Sequence, residues 1–161
     1  MDTHRQAQRR EDAAATDGPD RTPGSVAPDG AAIRGIGQIA IRVHDVPRAV
    51  GFYRDVLGLR YLFEAGGMAF FECGGIRLML SKPESAEFDH PGSILYYSVA
   101  DIASAHARAA GAGASFEALP HKVAELGASE LWMAFFRDPD GNMAALMSEK
   151  PKPARREAAG A

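Results

Sequence analysis

Five histidines, one cysteine and a scatter of carboxylates are the groups in this chain that could move a proton, attack an electrophile or hold a metal. Cys73 stands alone, which excludes an intrachain disulfide and any site built from several thiolates. It fits a reducing, cytoplasmic setting and reads as a small apolar residue in a strand. His4 lies in a polar N-terminal stretch, His44 beside a helix start and His106 within a helix, where packing or solvent accounts for them. His90 and His121 stand in loops, Asp89-His90-Pro91 and Pro120-His121-Lys122. Loops on a rigid scaffold often carry function, and an imidazole titrates where acid–base work is done. No spacing motif joins His90, His121 and a Glu, so a divalent metal is expected only with displaced ligands of that kind.

The elements that would position these groups come as a repeat. Val43-His44-Asp45-Val46 is echoed by Val99-Ala100-Asp101-Ile102, and Met68-Ala69-Phe70-Phe71 recurs as Met133-Ala134-Phe135-Phe136. Repeats are the first thing to look for in a chain of this length. Two units follow, 36–82 and 93–148, each reading as strand, helix, then three strands. Ile39, Ile41 and Val43 alternate with Gln38, Ala40 and Arg42, the period of a half-buried strand. Asp45 then caps a helix with Pro47 in its first turn, and Gly58 stops it. In the second unit Leu95, Tyr97 and Val99 alternate, Asp101 caps, and Gly111 and Gly113 end the helix. Gly74-Gly75 and Asp140-Gly141 are hairpin turns.

Residues 1–31 hold almost no large aliphatic side chains and are expected to be a disordered N-terminal tail. They lack the apolar stretch of a secretory signal. Residues 32–149 are the folded domain and 150–161 a flexible C-terminal tail. A net charge of −3 argues against nucleic-acid binding, and no apolar run is long enough to span a membrane.

The strand Ile39 to Asp45 leads into Phe52-Tyr53-Arg54-Asp55-Val56-Leu57-Gly58-Leu59, and Phe135-Phe136-Arg137-Asp138-Pro139-Asp140-Gly141-Asn142 follows late in the chain. On these residues the sequence resembles the vicinal oxygen chelate (VOC) superfamily of glyoxalase-like, bleomycin-resistance and dioxygenase proteins. The resemblance covers the middle of the chain and neither tail. It implies an α+β fold in which two βαβββ modules form a curled mixed β-sheet around a cavity, often completed by a homodimer. It also implies four metal-ligand slots, which fall here on Gln38, Met79, Ile94 and Ala145. Gln offers a carbonyl oxygen, Met a soft thioether, and Ile and Ala offer nothing. No cofactor is therefore expected.

Strand parity places Gln38 and Arg42 toward the cavity, with Ile94, Tyr96 and Ser98 on the matching strand and Met79, Met143 and Ala145 on the last strands. Trp132 is a further candidate lining residue. Such a pocket, largely apolar with a few polar groups, suits a small organic molecule. The relatives' chemistry implies lyase- or isomerase-type proton transfer, here without the usual chelated metal. His121 would carry the proton, with Glu130 or Glu125 as a weaker alternative. The alternative is a non-catalytic protein of the bleomycin-resistance type that sequesters its ligand.

Overall fold

Two aspartates start the two α-helices. The carboxylate of Asp45 accepts the backbone N–H of Arg48, and that of Asp101 accepts those of Ala103 and Ser104. Asp45 thus occupies one, and Asp101 two, of the donors that a helix start leaves unpaired. The computed structural model describes Ile33 and residues 35–152, so the expected N-terminal tail and residues beyond 152 lie outside the described residues.

The first repeat runs β1 (Gln38–Arg42), α1 (Val46–Gly51), β2 (Arg60–Ala65), β3 (Met68–Cys73) and β4 (Ile76–Ser81). A π-helical turn, Phe52–Val56, extends α1, and Gly58 follows at φ 76°, where a side chain would be strained. The second runs β5 (Leu95–Ser98), α2 (Ile102–Gly111), β6 (Ser115–Phe116), β7 (His121–Leu126), β8 (Ser129–Arg137) and β9 (Met143–Pro151). The last strand thus reaches two residues into the stretch read as tail. The linker carries a short 3₁₀ turn, Ala86–Phe88.

The strands form two sheets. One has the order β1-β4-β3-β2; the other has β5-β9-β8-β6, with β7 also paired to β8. In each, the first strand pairs in parallel with the last and the remaining pairs are antiparallel. The second repeat departs from the expected three strands after its helix. The counterpart of β2 is split into β6 and β7 by Glu117 to Pro120, where a proline without an N–H cannot continue the ladder.

Parity holds on β1: Ile41 is buried and Ile39 half-buried, while Gln38 and Ala40 are exposed. Val43, Phe71, Leu80, Ile102 and Phe136 are fully buried in one apolar cluster fed by both repeats and both helices. Cys73 ends β3 half-buried, and burial pushes its thiol up. β1 and β5 each stand at one edge of their sheet.

Candidate functional site

A cavity of about 880 Å³ opens beside these two outer strands. Ile39 to Arg42 of β1, Met79 and Ser81 of β4, Leu95 and Tyr97 of β5, and Met143 and Ala144 of β9 contribute to it. The linker closes one side through Lys82 to Glu84, Phe88 and His90 to Ile94. Neighbouring residues of one strand line it, because it lies along the strand edge rather than over one sheet face.

The linker is pinned to β1. Arg42 Nη1 donates to Asp89 Oδ1 at 2.9 Å, and His44 Nε2 lies 2.9 Å from the same oxygen. The His44 contact, then the Arg42 charge, holds the Asp89 carboxyl below its ordinary range. The β8–β9 turn is held by Asp138, which is buried. Its carboxylate accepts the Tyr53 hydroxyl at 2.9 Å, the backbone N–H groups of Asp140 and Asn142, and the Asn142 side-chain amide at 2.7 Å. The same amide donates to the Arg42 carbonyl at 2.9 Å, tying this turn to β1. Asp140, its side chain 1% exposed, accepts the His44 backbone N–H and the Arg48 guanidinium.

Of the residues expected at the site, Arg42, Met79, Ile94 and Met143 line this cavity. Gln38 lies beside Met79, its Nε2 3.5 Å from Sδ, but is not part of the lining. Tyr96 is 45% exposed and packs edge-on against Phe135, Ser98 is exposed and Ala145 is fully buried; none lines the cavity.

His121, Glu130 and Trp132 lie elsewhere, on the β7–β8 pair, where Glu130 and Trp132 touch and His121 stands opposite Met133. The His121 ring is 3.1 Å from the Leu119 carbonyl. Glu130 accepts the Trp132 indole N–H at 3.1 Å and Lys122 at 3.2 Å. These two contacts hold its carboxyl below the usual range, so it is a weak base at neutral pH. Lys150 sits 5.1 Å over the Trp132 ring.

Lys82, Arg137 and Asn142 are lining residues that strand parity does not pick out. The available signal was the motif Arg137 to Asn142 itself, whose turn abuts β1. Of the two histidines expected in loops, His90 does lie in the linker and lines the cavity, whereas His121 opens strand β7 and does not.

With this geometry in view, comparison with known proteins places the chain. Residues 35–146 match the family model of the Glyoxalase/Bleomycin resistance protein/Dioxygenase superfamily, and the chain belongs to that superfamily. Among solved structures it is similar to a superfamily member from Sphaerobacter thermophilus, with 22% identity over 72% of this chain and 98% of that one, at a TM-score of 0.62. It is likewise similar to an integron cassette protein from Vibrio cholerae, with 21% identity over 72% and 95% at a TM-score of 0.61. These likenesses speak to the fold. Among curated proteins it is similar to metallothiol transferase FosB of Staphylococcus haemolyticus and of Staphylococcus epidermidis, each 37% identical over 71 residues, or 44% of this chain. The chain spans about half the length of the curated relatives it matches.

These relatives correct one expectation. A chain without a cofactor does not follow from the sequence, because the similar transferases carry a metal in the name of their activity. Gln38 and Met79 face each other, but Ile94 and Ala145 offer no donor atom. No cluster of three or more His, Cys, Asp or Glu able to hold a metal occurs among the described residues. These side chains do not make a metal's donor set.

Proposed function

We propose that the protein binds a small organic molecule in the cavity between β1, β5 and the linker, and holds it non-covalently. The observation that supports this is the lining itself: about 880 Å³ walled by Ile39, Met79, Ile94 and Met143, with a few polar groups among them. That volume and make-up suit a ligand of drug-like size. A second copy of the chain is the expected partner, supported by aromatic side chains left exposed on the strands, Phe63 on β2 and Tyr96 on β5.

Gly92 offers the test. It lines the cavity, and a Cβ added there meets nothing within 4 Å. Gly92→Trp should therefore fill the cavity without disturbing the core. With the uncharged fluorescent probe N-phenyl-1-naphthylamine, wild type should bind about one molecule per chain. The variant should bind about tenfold more weakly or worse, a change of about 1.4 kcal/mol, with its melting temperature kept. Equal affinity in both proteins would remove the cavity as the site. Sedimentation of the same samples should give twice the chain mass; a monomer would remove the second copy.

A second reading has one observation in its favour. The likeness to the metallothiol transferases points to group transfer onto the bound molecule, and in that case the cavity is the substrate site of an enzyme. Turnover of a thiol with an electrophilic acceptor, lost in Gly92→Trp, would establish it; no turnover with metal supplied would leave binding alone.

A further inference from the structure

The segment between β4 and β5, residues 82–94, walls the cavity without being built into the protein behind it. None of its residues belongs to the apolar core or packs against it, and all but Pro83 are exposed. Strand pairing stops short of it on both sides: the β1–β4 ladder ends at Ser81 and the β5–β9 ladder begins at Leu95. Among the described residues, every hydrogen bond and ion pair that joins it to the rest of the chain passes through one carboxylate, that of Asp89. Segments with few buried contacts and few backbone hydrogen bonds are the ones that open locally while the core stays folded.

The two sides of the Asp89 contact differ. On the body of the protein, Arg42 ends β1 with its carbonyl held by Asn142, and the His44 backbone N–H is held by Asp140. The His44 ring stands between two carboxylates, with Nδ1 3.3 Å from Asp140 Oδ1 and Nε2 2.9 Å from Asp89 Oδ1. On the segment, Asp89 follows a single 3₁₀ turn and its side chain is 40% exposed. Ion pairs so exposed are weak, so this one biases the segment toward the body and still releases readily. Phe88 precedes Asp89 and lines the cavity while 59% exposed. An aromatic ring at the rim of an apolar hollow gains cover from a molecule held inside it.

We propose that residues 82–94 form a lid on the cavity, fastened by Asp89 to Arg42 and His44, which swings away to pass the small molecule and closes with Phe88 against it. This rests on the small-molecule reading of the same cavity. Opening breaks the Asp89 contacts and closing remakes them. The closed lid makes these contacts with or without ligand, so loosening them changes the rates of entry and exit together and leaves the affinity alone. Phe88 touches the ligand itself, so its loss acts on exit and on affinity.

Stopped-flow fluorescence with N-phenyl-1-naphthylamine reads both rates. Asp89→Ala should raise the association and dissociation rate constants alike, each by about fivefold, the scale of an exposed ion pair, with the dissociation constant and the melting temperature kept. Asp89→Asn, which keeps the shape without the charge, should fall between wild type and Asp89→Ala and covers the case in which the alanine variant does not fold. Phe88→Ala should raise the dissociation rate and weaken the affinity. A glutamate-specific protease, able to cut after Glu84 and Glu87, reads the lid with no ligand present: it should cleave Asp89→Ala severalfold faster than wild type.

Rate constants and cleavage that Asp89→Ala leaves at wild-type values, with Gly92→Trp still weakening the probe, would overturn the lid and leave the cavity standing. A weakened affinity in Asp89→Ala with an unchanged association rate would also overturn it, since Asp89 would then be an ordinary contact. Failure of the probe to respond to Gly92→Trp would overturn the cavity reading, and the lid with it.

Discussion

Asp138 shows how much one side chain can position. It takes four hydrogen bonds from Tyr53, Asp140 and Asn142, and Asn142 in turn holds the carbonyl of Arg42. Burial, with the neighbouring carboxylates, pushes the Tyr53 hydroxyl far above its ordinary range, so it stays a donor to Asp138. That network was legible in the sequence only as a motif; that the motif buries a carboxylate against β1 depends on a contact between residues 100 apart. His121 and Glu130 teach the reverse. Residue type made them suitable for proton transfer, but the structure engages Glu130 with Trp132 and Lys122, away from the cavity lining. The neighbouring Glu125 gives a pH test. Lys152 first, then Lys122, pull its carboxyl down to about 2 from an ordinary value of 4.5. A carboxylate depressed on folding contributes stability that is present above pH 4.5 and is lost as pH falls toward 2. Side-chain carboxyl NMR should place the Glu125 midpoint near 2, and Lys152→Met should raise it. A wild-type midpoint at 4.5 would show that the pairs do not persist in solution.

Among the elements, the helices were the most readable. Asp45, Pro47 and Gly58, and Asp101 and Gly113, are local signals, and each acts where it stands in the chain. Asp101 is the cleaner case for measurement, since it accepts two backbone N–H groups and caps the longer helix. Asp101→Ala should cost about 1 kcal/mol in a denaturant melt; no change would mean that packing of Ile102 and Ala109 alone holds α2. The strands were readable by alternation, but their count was not. The split of β6 from β7 follows from Pro120 together with a register on β8 that no local pattern states. Alternation also misjudges a cavity that runs along a strand edge. Leu95 and Tyr97, assigned by parity to the helix side, line it, while Tyr96 and Ser98 do not.

For the whole molecule, the internal repeat carried the fold. Two copies of one unit share a core through Phe71 and Phe136, which stand at matching places in the two copies of one four-residue motif. The position of the cavity was less accessible, because most of the segment that closes it, residues 83–92, belongs to neither repeat and has no pattern of its own. Glu84, His90 and Gly92 enter the site through that segment. The central claim is that ligands enter between β1, β5 and the linker. The methionines report on it directly. Met68, Met79 and Met143 line the cavity, whereas Met133 and Met147 lie in the second sheet outside the lining. With methyl-labelled methionine and N-phenyl-1-naphthylamine, the methyl signals of Met68, Met79 and Met143 should shift on titration, and those of Met133 and Met147 should stay in place. Shifts confined to Met133 and Met147 would put the ligand elsewhere and contradict the account.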